Sequence, residues 1–300
     1  MQRSAQMQLG MIGCGNMGGG MAAQLLDKGL ALTCYDPDPA TLDRMRDLGA
    51  VCVSTPAQVA QASDIIVLSL PKAAVVAAVM ADMIPDLRAG AIILDTSTSE
   101  PATSQTLSAQ GGTQGATEGA DRAFFFVDGP VSGGPAAAHA GTMTMLLGGD
   151  AGAIAALRPV LDILTAKTVV VGGSGAGHAA KIANNMLCAA NLVLVGEAVR
   201  LGQAVGVRPS DLLDGINAGS GRSGVSEVNF PKWVLNEAFD SGFTMGLMRK
   251  DVGLALALAK EAGVDLDGFS QIAQIWLNGS ADIPDSADFN AIVARSGQGD

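Results

Sequence analysis

The sequence is short of aromatics, charge and histidine. Aromatic residues are 4% of its 300 residues and charged residues 16%. Lys and Arg number 18 against 29 Asp and Glu, a formal net charge of -11 with no basic stripe, so a nucleic-acid partner is not expected. The acidity reads as a solubility feature. The two histidines, His139 and His178, lack metal-ligand spacing, His178 reads as a helix-start residue, and no metal is expected. Cys14, Cys34, Cys52 and Cys188 form no CxxC pair and no regular framework. Reduced, buried thiols and a cytoplasmic location are the expectation. The opening MQRSAQMQLGMIGCG has no long apolar run, so no signal peptide is expected, and no stretch of about 20 apolar residues reads as a membrane span. The plentiful class is apolar, at 48%, which suits one large or two ordinary domains and argues against disorder.

In the first half, short β-like runs alternate with helix-like stretches. Strands are expected at 8–12, 31–35, 51–53, 64–70, 91–94, 124–127 and 142–147, with helices over 17–28 and after Pro71. The run DIIVLSL, 64–70, is continuously apolar, as in a strand buried on both faces. Alternation of this kind implies a mostly parallel sheet covered by helices. After about Val171 the strand signal stops, and helices are expected over 179–205, 209–216, 247–262 and 269–277. The reading is an α/β protein: a doubly wound sheet domain over 1–171, then an all-helical domain over 172–300. The glycine-rich stretch 111–120 breaks the pattern and reads as a flexible surface loop.

Gly13-Cys14-Gly15-Asn16-Met17-Gly18 is a G-x-G-x-x-G between an expected strand and an expected helix. In a dinucleotide site the first glycine makes the tight turn, the second lets the backbone approach the pyrophosphate, and the third lets helix and strand pack closely. The phosphates then meet unpaired N–H groups at the positive end of the helix dipole. Asp36 lies eighteen residues after Gly18, at the end of the second strand, where an acid accepts hydrogen bonds from the adenosine ribose. A carboxylate there repels a 2′-phosphate, which favours NAD over NADP. A plain turn or cap residue within DPDP is the alternative for Asp36.

Gly177, Lys181 and Asn185 recur every four residues and share one helix face. Lys181 stands among Ala, Ile and Met with no acid within four residues, so partial desolvation would lower its pKa toward neutrality. Such a lysine can take the proton of a substrate alcohol as hydride leaves the carbon, and Asn185 can hold the same oxygen or the substrate carboxylate. A lysine at an exposed helix edge is the alternative.

These pieces together resemble the β-hydroxyacid dehydrogenase family, which includes 3-hydroxyisobutyrate dehydrogenase. Four ordered blocks carry the resemblance over nearly the whole chain: GMIGCGNMGGGMAAQLL (10–26), DGPVSGG (128–134), GGSGAGHAAKIANN (172–185) and MRKDVGLAL (248–256). DTSTSEP (95–101) is similar to a family segment near the nicotinamide. The resemblance implies Lys181 as catalytic lysine with Asn185 as its partner, and Ser132, Gly133 and Gly134 on the substrate carboxylate. It implies Leu70, Pro71 and Thr98 at the cofactor, alongside Gly13, Gly15, Asn16, Met17, Gly18 and Asp36, and Lys250 beside both nicotinamide and substrate. Arg222, in a Ser-Gly-Arg-Ser stretch similar to one in 3-hydroxyisobutyrate dehydrogenases, suits a second anionic group. Phe230 and Trp233 read as core residues. The implied activity is NAD-dependent oxidation of a small 3-hydroxy acid to its semialdehyde. Alternatives are a reductase of tartronate, succinic or glyoxylate semialdehyde, an imine reductase, or a non-catalytic NAD-binding module. The apolar rear helices imply a homodimer or homotetramer.

Overall fold

The computed structural model describes residues 7–113, 123–278 and 282–295. The chain divides into two compact units, Met1–Lys181 and Ile182–Asp300.

Among the described residues the first unit has nine strands: β1 (Leu9–Ile12), β2 (Leu32–Tyr35), β3 (Val51–Cys52), β4 (Ile65–Leu68), β5 (Ala91–Asp95), β6 (Phe124–Asp128), β7 (Val131–Ser132), β8 (Met143–Gly148) and β9 (Thr165–Gly172). Between them run α1 (Asn16–Asp27), α2 (Pro39–Asp47), α3 (Pro56–Ala62), α4 (Ala73–Met83), α5 (Pro101–Thr113), α6 (Gly134–Ala140), α7 (Ala151–Ala156) and α8 (Arg158–Leu164). The first six strands are parallel in the order 3-2-1-4-5-6, the order of a dinucleotide-binding sheet. Alternate residues of a strand point to opposite faces. In β4, Ile65 and Val67 join a cluster with Leu25 and Met143, while Ile66 and Leu68 join another with Val76 and Phe126. This two-sided burial is what a continuous apolar run signals.

The expected mostly parallel sheet is found, with an antiparallel departure, and one sequence reading is corrected. The parallel run is interrupted after β6: β8 runs antiparallel to both β6 and β7, and β9 then runs parallel to β8. A two-residue strand such as β7 is too short to leave a period in the sequence. Of the glycine-rich stretch read as a loop, Gly111 to Thr113 instead end α5, and 114–120 lie outside the described residues. Gly111 is there because a Cβ would stand 2.3 Å from the Phe124 carbonyl oxygen, so the helix crosses β6 closely.

The second unit takes most of α9 (Ala176–Ala204), then α10 (Pro209–Ala218), α11 (Met245–Ala262), α12 (Asp267–Leu277) and α13 (Ile292–Arg295), with a wide-turn π-helical stretch at Val225–Val234. Its core gathers Leu192, Val193, Phe230, Met248, Val252 and Trp276. The Trp276 indole donates to the Ala189 carbonyl at 3.2 Å, and the buried Arg249 donates from Nε to the Trp276 carbonyl at 3.0 Å. These two bonds pair buried donors where α9, α11 and α12 meet, as burial requires.

Helix α9 is apolar on two faces. One faces this core; on the other, Leu187, Leu194 and Leu201 are 59%, 51% and 70% exposed. For that reason α9, by length and composition alone, is long and apolar enough to cross a membrane, which the sequence reading did not expect. The same helix carries His178, Lys181, Glu197 and Arg200, and its Ile182, Leu192 and Val193 are core residues of the second unit.

Candidate active site

The turn after β1 meets each demand of a dinucleotide loop. Gly13 adopts φ +84°, and a Cβ there would stand 2.3 Å from the Ser69 carbonyl oxygen. A Cβ on Gly18 would lie 1.8 Å from the Gly13 carbonyl oxygen, so only glycine lets α1 start this close to the loop. At Gly15 a Cβ would meet nothing within 4 Å: the main chain itself faces open space at the head of α1. Gly15 is the N-cap of α1 and no side chain caps the helix, so Asn16 and Met17 begin it with main-chain N–H groups directed at that space. These features fit a pyrophosphate.

Asp36 follows β2. Its Oδ2 accepts from the Cys14 N–H at 2.7 Å and its Oδ1 from the Asp38 N–H at 2.9 Å, which sets the carboxylate beside the glycine loop. Capping α2 falls to Asp38, which accepts from Ala40 and Thr41. The Thr41 hydroxyl, foremost among its partners, holds the Asp38 carboxyl below the ordinary range. None of the four cysteines is in a disulfide; Cys14 and Cys34 are buried, while Cys52 and Cys188 are half-buried. A hydrogen bond with Cys14, then burial, pushes the Cys34 thiol up.

The ends of β4 and β5 close over the same edge of the sheet. Leu70 N–H donates to Ser97 Oγ at 3.0 Å, and Thr96 Oγ1 donates to the Leu68 carbonyl at 2.7 Å. Leu70, Pro71 and Thr98 thus sit on loops tied to one another. Ser132, Gly133 and Gly134 form the turn from β7 into α6, with φ +124° and +68° at the two glycines. Successive N–H groups in such a turn make a concave anion seat. A separate cavity of about 670 Å³ between α4 and α5, lined by Ala77, Ala81 and Thr106 among others, offers no titratable side chain.

The start of α9 is held from outside the helix. Asp128 Oδ1 accepts from the Gly175 N–H at 2.7 Å and Oδ2 from the His178 N–H at 3.1 Å, so a carboxylate from β6 serves as the helix cap. Burial raises the Asp128 pKa against the opposing pull of these bonds and of His178. One turn on, Lys181 is buried, 7% exposed, which removes the alternative of a lysine at an exposed edge.

In the second unit Asn185 is buried and donates to Asp251 Oδ2 at 2.5 Å, while accepting from Asn184 at 3.1 Å. Lys250 Nζ lies 3.1 Å from Asp251 Oδ1. Asp251 therefore joins Asn185 and Lys250, two residues 65 positions apart in the chain. Sequence reasoning gives Asp251 no role of its own; its signal is an acid beside Arg249 and Lys250 at the head of an apolar run. Arg222 is exposed and 3.7 Å from Glu227. Phe230 is a core residue, whereas Trp233 is half-buried under the Lys232 ammonium, 4.7 Å from its ring.

The glycine loop, the strand order and the acid after β2 define a nicotinamide-dinucleotide-binding protein. Family profiles cover nearly all of the chain: one described as the NAD binding domain of 6-phosphogluconate dehydrogenase matches residues 8–173, and one described as the NAD-binding of NADP-dependent 3-hydroxyisobutyrate dehydrogenase matches 175–295. A 2-(hydroxymethyl)glutarate dehydrogenase of Eubacterium barkeri is 34% identical over 95% of this chain and 93% of its own. The mitochondrial 3-hydroxyisobutyrate dehydrogenase of Homo sapiens is 36% identical over 82% of this chain and 74% of its own. Among solved structures, the Mycobacterium tuberculosis 3-hydroxyisobutyrate dehydrogenase with L-serine superposes with TM-score 0.89 at 28% identity, covering 97% of this chain and 99% of that one. An imine reductase from Pseudomonas sp., at 16% identity and TM-score 0.62, shares the fold alone. The chain belongs to the β-hydroxyacid dehydrogenase family.

Proposed function

We propose that the protein oxidises a small 3-hydroxy acid to the semialdehyde with NAD, using Lys181 as the proton acceptor. The observation that carries this is a buried lysine one turn beyond the clamped start of α9, in the same compact unit as the dinucleotide loop. The substrates named for the relatives, 3-hydroxyisobutyrate and 2-(hydroxymethyl)glutarate, share a hydroxymethyl group next to a carbon bearing carboxylate. L-serine, present with the Mycobacterium tuberculosis structure, shares it too. That shared group is the proposed substrate class, with the third substituent variable.

The bound nicotinamide supplies the two-electron acceptor. Lys181, in its amine form, takes the hydroxyl proton as the carbon–oxygen single bond becomes a carbonyl. Asn185, oriented by Asp251, holds the same oxygen or the carboxylate. Ser132, Gly133 and Gly134 present N–H groups to the carboxylate. Lys250 is assigned to substrate and cofactor by its family block, and Arg222 to a second anionic substituent. Gly13, Gly15, Asn16, Met17, Gly18, Asp36, Leu70, Pro71 and Thr98 hold the dinucleotide. Asp36 is the basis for NAD over NADP, because a 2′-phosphate would meet its carboxylate beside the Cys14 N–H. Residues 1–171 would act as the cofactor domain and 172–300 as the substrate and association domain. The seven-residue spacing of the exposed Leu187, Leu194 and Leu201 favours a homodimer or homotetramer through α9. A cytoplasmic location suits four thiols outside any disulfide.

The test is a panel of 3-hydroxy acids assayed for absorbance of the reduced nicotinamide with NAD and with NADP. Turnover of hydroxymethyl-bearing acids with NAD, and kcat/KM at least about tenfold lower with NADP, is expected. Equal use of NADP would remove the role given to Asp36.

A further inference from the structure

Helix α9 starts against two buried carboxylates, and the mechanism above uses neither its histidine nor the carboxylate facing the ring. Asp95 and Asp128 end β5 and β6 and are register partners across the parallel pair. His178, with no exposed surface, is the residue that both carboxylates meet. Asp128 takes its main-chain N–H. Asp95 faces the ring, with Oδ2 3.4 Å from Nε2, while its Oδ1 accepts from the Ser97 N–H at 3.0 Å. The 3.4 Å contact is an ion-pair distance without hydrogen-bond geometry, and no described residue hydrogen-bonds either ring nitrogen. Buried polar groups left in this state are disfavoured, so a residue chosen for packing here would be apolar.

Asp95 also opens the segment that Thr96 and Ser97 tie to the end of β4. Through His178, that block of loops reaches the first turn of α9, three residues before Lys181. We infer that His178 is a positioning residue: held at its main chain by Asp128 and with its ring set 3.4 Å from the Asp95 carboxylate, it fixes where Lys181 stands relative to the strand ends. This rests on the reading of Lys181 as proton acceptor. An ångström of misplacement costs about 100-fold in rate, so a device of this kind has a measurable effect.

The experiment compares H178L, H178Q, D95N, the double variant H178L/D95N and K181A in the full chain, measuring kcat, both KM values and melting temperature. H178L is expected to lower kcat about 10- to 100-fold with substrate KM within about threefold. H178Q, which keeps a donor toward Asp95, should recover most of that loss, and the double variant should be no slower than H178L alone. If H178L does not fold, H178Q, D95N and their double variant carry the same non-additivity test. A histidine that only packs would move the melting temperature and leave kcat within twofold, which overturns the inference, as do losses that multiply. If K181A is inactive while the His178 variants turn over normally, this inference alone fails. If K181A keeps its rate, the reading beneath it fails as well.

Discussion

The front and rear units write their sites in different parts of the chain. The front unit uses backbone shape: a φ of +84° at Gly13, a Cβ-excluding contact at Gly18, open space at Gly15. Such requirements leave glycines at fixed spacing, and a sequence displays them directly. The rear unit uses side chains on helices, and its Asn185–Asp251–Lys250 group exists only because α9 and α11 pack together. Nothing local announces that pairing. A backbone-written site should therefore fail by steric exclusion, and a side-chain-written site by loss of partners.

The largest effect should come from the glycines. Gly18→Ala places a methyl on the Gly13 carbonyl and is expected to destabilise by about 3 kcal/mol, the upper end of overpacking, in denaturant unfolding. Gly15→Ala meets no protein atom, so stability should move by less than about 0.5 kcal/mol. Its dinucleotide Kd, read by fluorescence titration, should nevertheless rise by about tenfold or more, because the added methyl stands where the backbone must approach the pyrophosphate. Equal stability losses at the two glycines would break the proposed division between packing and ligand approach.

A middle-sized effect is expected in the rear unit. Asn185→Ala leaves Asp251 Oδ2 without its amide donor, and a buried acceptor left unpaired costs about 1–3 kcal/mol. Urea unfolding should register that loss. Dinucleotide Kd should stay unchanged, since the glycine loop is untouched; a weakened Kd would blur the contrast between the units.

The smallest effect is a pH dependence in the front unit. Burial raises the Asp128 pKa, so near and above the ordinary carboxylate range the folded state binds this proton more readily than the unfolded chain. Its contribution to stability is therefore greatest below the unfolded pKa of about 3.9 and declines as pH rises through the raised folded value. Asp128→Asn should remove that decline from the difference in unfolding free energy measured between pH 4 and pH 7. A contribution that grows with pH would reverse the sign assigned to burial.

Legibility in the sequence followed the same division. The six parallel strands, the glycine loop and Asp36 were readable, because two-sided burial and turn geometry each impose a residue type. The long helix was readable too, its start at Ala176 falling within the glycine-rich stretch from Gly175 that reads as a helix N-terminus, but its cap was not, because that comes from Asp128 and not from a neighbouring side chain. The antiparallel turn-back at β8 was hidden, since strand direction leaves no mark in composition. The roles of Asp95, Asp128, His178 and Asp251 were hidden for another reason. Each acquires its partner from a distant element, and a single sequence offers an acid or a histidine with no indication of what it will face.

The chemistry attributed to the chain depends most on the amine of residue 181. Initial rates of Lys181→Ala, with the best hydroxy acid and saturating dinucleotide, test it most directly. The account predicts a kcat about 1,000-fold below wild type, within the range of general-base catalysis, with unchanged dinucleotide Kd and partial recovery on adding a small primary amine. A variant that turns over at the wild-type rate would contradict it.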